Sequence, residues 1–477
     1  MLGNKVAAML LFACNGLGMA TIPTPTAPQL WYQESGLVAL IHFNMATFIR
    51  DGDPGCDATN WAAVAQGAAG PSGEAKTFNP AKLDFQKWAD VMKAVGIKSA
   101  VLTAKHGCGH LLWPTNTTLP NGAPYEYNVG SSSAAIKRDI LKEFAQTMKN
   151  NNLKHGFYYS LTNNFYLNVG DHNAHAHSNL APGQQNVTQS QFEAIALAQV
   201  TELWKNYGDL GEIWFDGGYT TDMKAQLQKL LAVHQPNAVG FNGLGISANP
   251  IGWIGTESGH PDCPDGVWSL VSNSNVNCGD PSGTIFQPKT CDTTLQNNDR
   301  WFWTPPAASV RSLEELQQVF HDTLGSNGVI ELDFAIDRDG LVNPVHEARY
   351  REFGSWIKAC YGKDEKALIS LPQKMPDGRW RVNATLYVPR SVDRIVLAED
   401  LAFGQNIRSG TYVACSSVDG CDLSGIVANF TAVGSKKISL LGAPLPAMTF
   451  RIIALIATID GNAPRIKDFS PLTGDGC

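Results

Sequence analysis

The feature that most constrains this chain is an alternation running through its first three quarters. Continuous apolar, β-branched and aromatic runs recur: "LVALIHFN", "KSAVLTAKH", "HGFYYSL", "GEIWFDGG", "AVGFNG", "IGWIGTE", "DRWFWTP" and "NGVIELDF". A strand with one wet face alternates apolar with polar residues. Most of these runs do not, which is the pattern of strands buried on both faces of a parallel sheet. Between many of them lie "LDFQKWADVMKAV", "AAIKRDILKEFAQTMKNN", "QSQFEAIALAQVTELWKNYG", "DMKAQLQKLLAVH" and "SLEELQQVFHDTLG", each with apolar residues at i, i+3, i+4 spacing. Ser190 with Glu193 is the capping box expected for the third helix, and Gly208 its stop. Ser312 with Glu315 repeats the box for the fifth, which Gly325 ends. Strand–helix alternation with about eight strands predicts an α/β chain built on a (β/α)8-like barrel. An open doubly wound sheet is the alternative. No GxGxxG or P-loop follows the first strand, so its nucleotide-binding versions lose support.

After "EARYREFGSWIKACYG" the pattern changes to short strands separated by turn residues, such as "PDG" at Pro376. Residues 21–362 are therefore assigned to the barrel and residues 363–477 to a C-terminal antiparallel β-sandwich. Residues 1–20 have the form of a secretion signal: Lys5, the apolar "VAAMLLFA", and small residues before a cleavage point after Ala20. That run is far shorter than the roughly 20 residues that span a bilayer. The expected location is extracellular, with no membrane partner. Secretion fits the sequons at Asn116, Asn186, Asn383 and Asn429. Without Cys14, an odd number of cysteines remains, which predicts disulfides and at least one free or intermolecular thiol. The expected pairs are Cys415–Cys421, then Cys263–Cys278, with Cys56–Cys108 third.

The formal net charge is -7 and no basic run occurs, which excludes nucleic acid as a partner. Charged residues are only 17% of the chain while Trp and Tyr are plentiful, a balance suited to neutral ligands such as sugars. No CxxC or clustered Cys/His spacing points to a metal. "HNAHAH", with His172, His175 and His177, is taken as a polar loop, and no cofactor is expected.

Barrel active sites lie at the C-terminal ends of the strands. The polar residues there are His42 and Asn44, Lys105 and His106, Tyr158, Tyr159 and Ser160, Asp216, and Glu257; Trp301 and Trp303 come with the run taken as strand seven. Asp216 ends an apolar strand and precedes Gly217 and Gly218, which let the chain turn close beside it. Asp216 and Glu257 at two strand ends are the pair of carboxylates that glycoside hydrolysis needs, one ionised and one held protonated.

These motifs also resemble a known family. "WFDGG" after "LGEI", with "ALIHFN" and "SAVLTAKHGCGHLLWPT" upstream, is similar to the α-L-fucosidases of glycoside hydrolase family 29. The likeness extends through "KTCDTTLQNNDRWFWTP" and "RIVLAEDLAFGQNIRSGTYV". It implies a retaining enzyme with a catalytic barrel and a β-sandwich, acting on fucosylated oligosaccharide or polysaccharide. By the resemblance Asp216 matches the nucleophile and Glu257 the general acid/base, with Asp262 and Asp265 as fallbacks. His42 and His106 match histidines that bond the sugar, Trp61 the Trp of a Glu-Trp pair, and Tyr159 a site tyrosine. Trp214 is expected to line the pocket. Two departures stand out. "HGCGH" places Gly107 where the family has a second His, leaving His110 to reach in from another direction, and Asn60 stands where Glu is usual. They keep open a related glycosidase for another sugar, or a lectin-like protein that binds fucose without cleaving it.

Overall fold

The computed structural model describes residues 22–49, 56, 77–132, 134–175, 180–181, 183–303, 309–362, 367–416 and 421–474. The expected secretion signal, Asn60, Trp61 and His177 lie outside them. Eight parallel strands close into a barrel in chain order: β1 (Leu37–His42), β2 (Ser99–Lys105), β3 (Lys154–Ser160), β4 (Glu212–Asp216), β5 (Val239–Phe241), β6 (Pro250–Trp253), β7 (Lys289–Thr293) and β8 (Val329–Ala335). The ring closes where β8 pairs with β1, Leu37 opposite Ile330 and His42 opposite Ala335.

The runs are continuous because both faces are covered. Alternate residues, among them Val38, Leu40, Val101, Tyr158, Trp214 and Phe241, form a cluster inside the barrel. Their neighbours Ala39, Ile41, Ala100, Leu102, Phe157 and Phe215 join a second, larger cluster with the surrounding helices. Those helices are α1 (Ala27–Ser35), α2 (Phe85–Val95), α3 (Ile140–Asn150), α4 (Gln189–Asn206), α5 (Thr221–His234), α6 (Leu313–Val319) and α7 (Pro344–Tyr361). Five fall on the periodic segments. The cap of α4 corrects the expectation: Thr188, not Ser190, accepts from the Gln191 N–H, and Gln191 completes the box. Ser312 caps α6, and Gly325 ends the π-turn that continues it. α1 carries no obvious apolar stripe, yet it seals the N-terminal end of the barrel. Gln29 donates Nε2–H to the carbonyls of Pro250 (2.9 Å) and Phe286 (2.8 Å), and Tyr32 enters the inner cluster.

Strand seven is a second correction. It is Lys289–Thr293, "KTCDT", and not "DRWFWTP", which lies in the loop after it. β7 is polar on its inner face, where Thr290 donates to Glu331 (3.2 Å) and Asp292 accepts from Trp253 (2.7 Å), so an apolar run does not mark it. Among the described residues no helix separates β5 from β6 or β6 from β7. The latter link holds a small hairpin, Leu270–Val271 with Ile285–Phe286, and the Cys263–Cys278 disulfide.

Beyond α7 the strands are antiparallel. One sheet has β9 (Trp380–Thr385), β14 (Arg451–Thr458), β11 (Ile407–Cys415) and β12 (Ile426–Thr431) in that order, with two short strands at the β9 edge. The other orders β13 (Lys437–Leu445), β10 (Val392–Glu399) and β15 (Ile466–Leu472). Val382, Ile452 and Ile456 of the first meet Ile395, Leu397 and Phe469 of the second in one core, the sandwich arrangement. The disulfides Cys56–Cys108, Cys263–Cys278 and Cys415–Cys421 are formed, Cys360 is disulfide-bonded, and Cys291 is a buried free thiol.

Candidate active site

Asp216 is the last residue of β4, half-buried at the C-terminal mouth. Its side chain accepts the Tyr158 hydroxyl at 2.5 Å from the neighbouring strand β3. Its carbonyl accepts from Thr162 Oγ1 at 2.6 Å. The next residue must be glycine: Gly217 has φ +66°, and a Cβ there would sit 2.2 Å from Thr162 Oγ1. The apolar strand ends on an acid because this turn delivers a carboxylate to the rim with one face hydrogen-bonded and one face open.

Aromatic rings build the wall beside it. His106, Tyr158, Trp214 and Phe241 stack in sequence at centroid spacings of 5.5, 5.0 and 4.0 Å, one ring from each of the neighbouring strand ends β2 to β5. His106 reaches this face because β2 carries an irregularity between Thr103 and Lys105. The extra residue, Ala104, resets the alternation. His42, at the end of β1, bonds Asp333 Oδ1 through Nδ1 at 2.8 Å. Burial, then the neighbouring His106, holds the His42 imidazole well below its ordinary value. His42 is thus a neutral ring that donates Nδ1–H to Asp333 and keeps Nε2 as its acceptor, oriented by the carboxylate. Burial also lowers His106 to about 4, Asp216 opposing and Lys105 assisting. Trp301 and Phe302 close against His42 at 4.9 and 5.1 Å, and Phe302 against His106 at 4.8 Å.

A second and third carboxyl face the same place. The Tyr158 hydroxyl is pushed far above its ordinary value by burial, then by Asp216, and further by Asp292 and Glu257. Glu257 lies four residues past β6, exposed at the rim. Asp292 is nearly buried on the inner face of β7 and accepts the Trp253 indole N–H at 2.7 Å. Burial, then Glu331 and Glu257, pushes the Asp292 carboxyl well above the usual carboxylate range. Lys105 is buried nearby, donating to the carbonyls of Ser160 and Asn163, and burial lowers it to about 7 against the pull of Asp216. Among the described residues no group of three His, Cys, Asp or Glu side chains forms a metal site.

An open carboxylate, an exposed carboxyl on a neighbouring loop, neutral imidazoles and an aromatic wall are the parts of a sugar-processing site. A family model described as "Alpha-L-fucosidase" matches residues 58–363. The chain belongs to the α-L-fucosidase family. It is 26% identical over 368 residues to "Alpha-L-fucosidase 1" of Arabidopsis thaliana, covering 73% of this chain and 63% of the relative. It is 34% identical over 306 residues to "Tissue alpha-L-fucosidase" of Bos taurus, covering 60% and 55%. The chain thus spans about six-tenths of the length of these curated relatives. A crystal structure of a putative α-L-fucosidase from Bacteroides thetaiotaomicron superposes with TM-score 0.77 at 24% identity, covering 95% of this chain and 99% of that one. A Ruminococcus gnavus GH29 fucosidase solved with fucose gives 0.72 at 19%, covering 96% of each.

Within this fucosidase-family barrel, Asp216, Glu257, His42, His106 and Trp214 converge on the mouth. Three other expectations need correction. Tyr159 faces outward: its hydroxyl bonds Gln199 of α4 at 2.6 Å, and strand alternation puts Tyr158 inside in its place. His110 is fully buried between Phe78 and Tyr127, each 5.0 Å away, and packs in the barrel–helix core rather than reaching in. Trp303 is not on strand seven; Trp301 and Phe302 of the same loop are the rings that meet the histidines. The fallback acid Asp265 lines a separate 360 Å³ cavity with Arg408 and Thr431 of the sandwich. Asp292 and Asp333 escaped the sequence reading. The one signal was the acid inside "KTCDTT" and the second acid inside "IELDF", each at an inner-facing position of a strand.

Proposed function

We propose that the chain is a secreted, retaining α-L-fucosidase that removes terminal fucosyl residues from oligosaccharides or polysaccharides. The observation that carries this reading is the bond from Tyr158 to Asp216, which presents one carboxylate at the mouth of a fucosidase-family barrel, with Glu257 exposed on the loop after β6. Asp216 attacks the anomeric carbon while Glu257 protonates the departing glycosidic oxygen. Glu257, now a base, takes a proton from water, which displaces Asp216 and releases fucose with its configuration retained. His42 and His106, neutral near pH 6, hydrogen-bond ring hydroxyls. Trp214 and the half-buried Trp301 supply apolar wall for the sugar's methyl-bearing face.

The test is hydrolysis of 4-nitrophenyl α-L-fucoside, with the product anomer followed by NMR. The α-anomer of fucose should appear first. Asp216→Asn should abolish turnover, and Glu257→Ala should slow it by about 10²–10⁴-fold. Glu257→Ala turning over normally would remove it from the acid role, and a preferred non-fucosyl sugar would sink the fucosidase reading. Gly107 is the observation that favours this second reading, because one imidazole contact is missing there.

A further inference from the structure

Below the site the barrel interior is not purely apolar. Glu331, on the inner face of β8, is fully buried and accepts three hydrogen bonds. They come from Tyr32 Oη of α1 (2.5 Å), Trp214 Nε1 of β4 (2.8 Å) and Thr290 Oγ1 of β7 (3.2 Å). Glu212, equally buried on β4, lies beside it, and neither of its carboxyl oxygens has a hydrogen-bond partner among the described residues. Three donors converge on Glu331 and none on Glu212, so of the two buried carboxyls Glu331 is the one built to carry charge. A buried ion this costly to desolvate is weak support for stability, since shape-matched apolar residues often serve as well. Its geometry points elsewhere.

Trp214 is the third ring of the stack that runs His106, Tyr158, Trp214, Phe241. Parallel stacking leaves rings free to slide and swivel in their own planes. The Glu331 bond removes that freedom, because an indole has a single N–H and it is held across the barrel. Tyr158 lies 18° from parallel to Trp214, and its hydroxyl is the group on Asp216. We infer that Glu331 is a positioning residue: through Trp214 it fixes the register of the ring stack, and so the direction from which Tyr158 holds Asp216. Tyr32 steadies Glu331 from the far end, which gives α1 a role in the geometry of a site at the opposite mouth. This inference rests on the hydrolase reading of Asp216.

The test uses the full chain with Glu331→Gln, Glu331→Met and Trp214→Phe. Glu331→Gln retains an acceptor for the indole and should stay within about threefold of wild-type kcat. Glu331→Met removes it at similar volume and should lower kcat by about 10–100-fold, with KM moving far less, the cost of displacing a reacting group. In Trp214→Phe, already slowed, adding Glu331→Met should produce little further loss, because the residue through which it acts no longer bonds. Wild-type kcat in Glu331→Met, or losses that simply multiply in the double variant, would overturn the role. Should Glu331→Met not fold, Tyr32→Phe loosens the same carboxylate from outside the barrel and should lower kcat by about two- to fivefold. Unchanged kcat there would also overturn it. Crystal structures of wild type and variant measure the Tyr158–Asp216 distance without any substrate. An inactive wild type would therefore sink the hydrolase reading alone, and an unaltered distance the positioning role alone.

Discussion

His110 makes the sharpest test, because a sugar-binding histidine and a core histidine respond oppositely to substitution. The ring is wholly buried between Phe78 and Tyr127, and neither nitrogen has a hydrogen-bond partner among the described residues. Burial lowers it to about 3 from an ordinary 6.5. A histidine depressed in the folded state binds a proton more readily when unfolded. Its stability contribution is complete above pH 6.5 and is lost as pH falls toward 3. For those two values the loss is negligible at pH 7.5, about 2 kcal/mol at pH 5 and about 3 kcal/mol at pH 4.

His110→Phe removes that titration and leaves an aromatic ring between the same neighbours. The larger ring carries a packing cost of about 1–3 kcal/mol, but packing does not depend on pH. Urea unfolding of both proteins at pH 7.5 and pH 5 isolates the titration as a difference of differences. The variant should gain about 2 kcal/mol relative to wild type between the two values. Half-buried His321 and buried His346 are also lowered to about 4 but are common to both proteins and cancel. KM for a fucoside should be unchanged. A tenfold rise in KM, or a stability gap that does not move with pH, would refute the core assignment and return His110 to the site.

Three further outcomes are expected. Tyr158→Phe keeps the ring stack but removes the bond to Asp216, so kcat/KM should fall by about 10–100-fold with little change in unfolding midpoint; full activity would mean the bond does not orient the nucleophile. Gly107→His restores the absent imidazole at a position where a Cβ meets nothing closer than Asn163 Cβ at 3.6 Å, so KM for fucosides should drop about fivefold; a raised KM would show that the pocket is built around the glycine. Cys291 is buried and its thiol is pushed up to about 12 by burial, so it should resist a thiol reagent at pH 8 in native protein and react once unfolded without reductant; native labelling would place it at an accessible surface.

What the sequence could and could not disclose follows from which face of a strand carries the information. The outer faces of strands such as β1 and β4 pack on helices and are apolar, so "LVALIH" or "GEIWF" announces itself. The inner face divides by depth: aliphatic and aromatic in the middle, polar at the mouth and, through Glu212 and Glu331, polar again below. Asp216 stood out because it ends an apolar strand before two glycines, whereas Glu257, read as a strand end, lies in the loop four residues beyond β6. Asp292 was not, since its strand has polar side chains at four of five positions, which no apolar run marks. The Tyr158–Tyr159 pair shows the limit most plainly. Adjacent residues of a strand point to opposite faces, and a one-residue shift of register exchanges them. The sequence offers two identical rings side by side, and only the closed barrel assigns one to Asp216 and the other to Gln199. The same logic made His106 legible for the wrong reason. Counting along an unbroken strand from Val101 would have put Lys105 inside; the irregularity at Ala104 puts His106 there. A site built at strand ends is thus specified jointly by motif and parity, and irregularities, which leave no mark in composition, decide the parity.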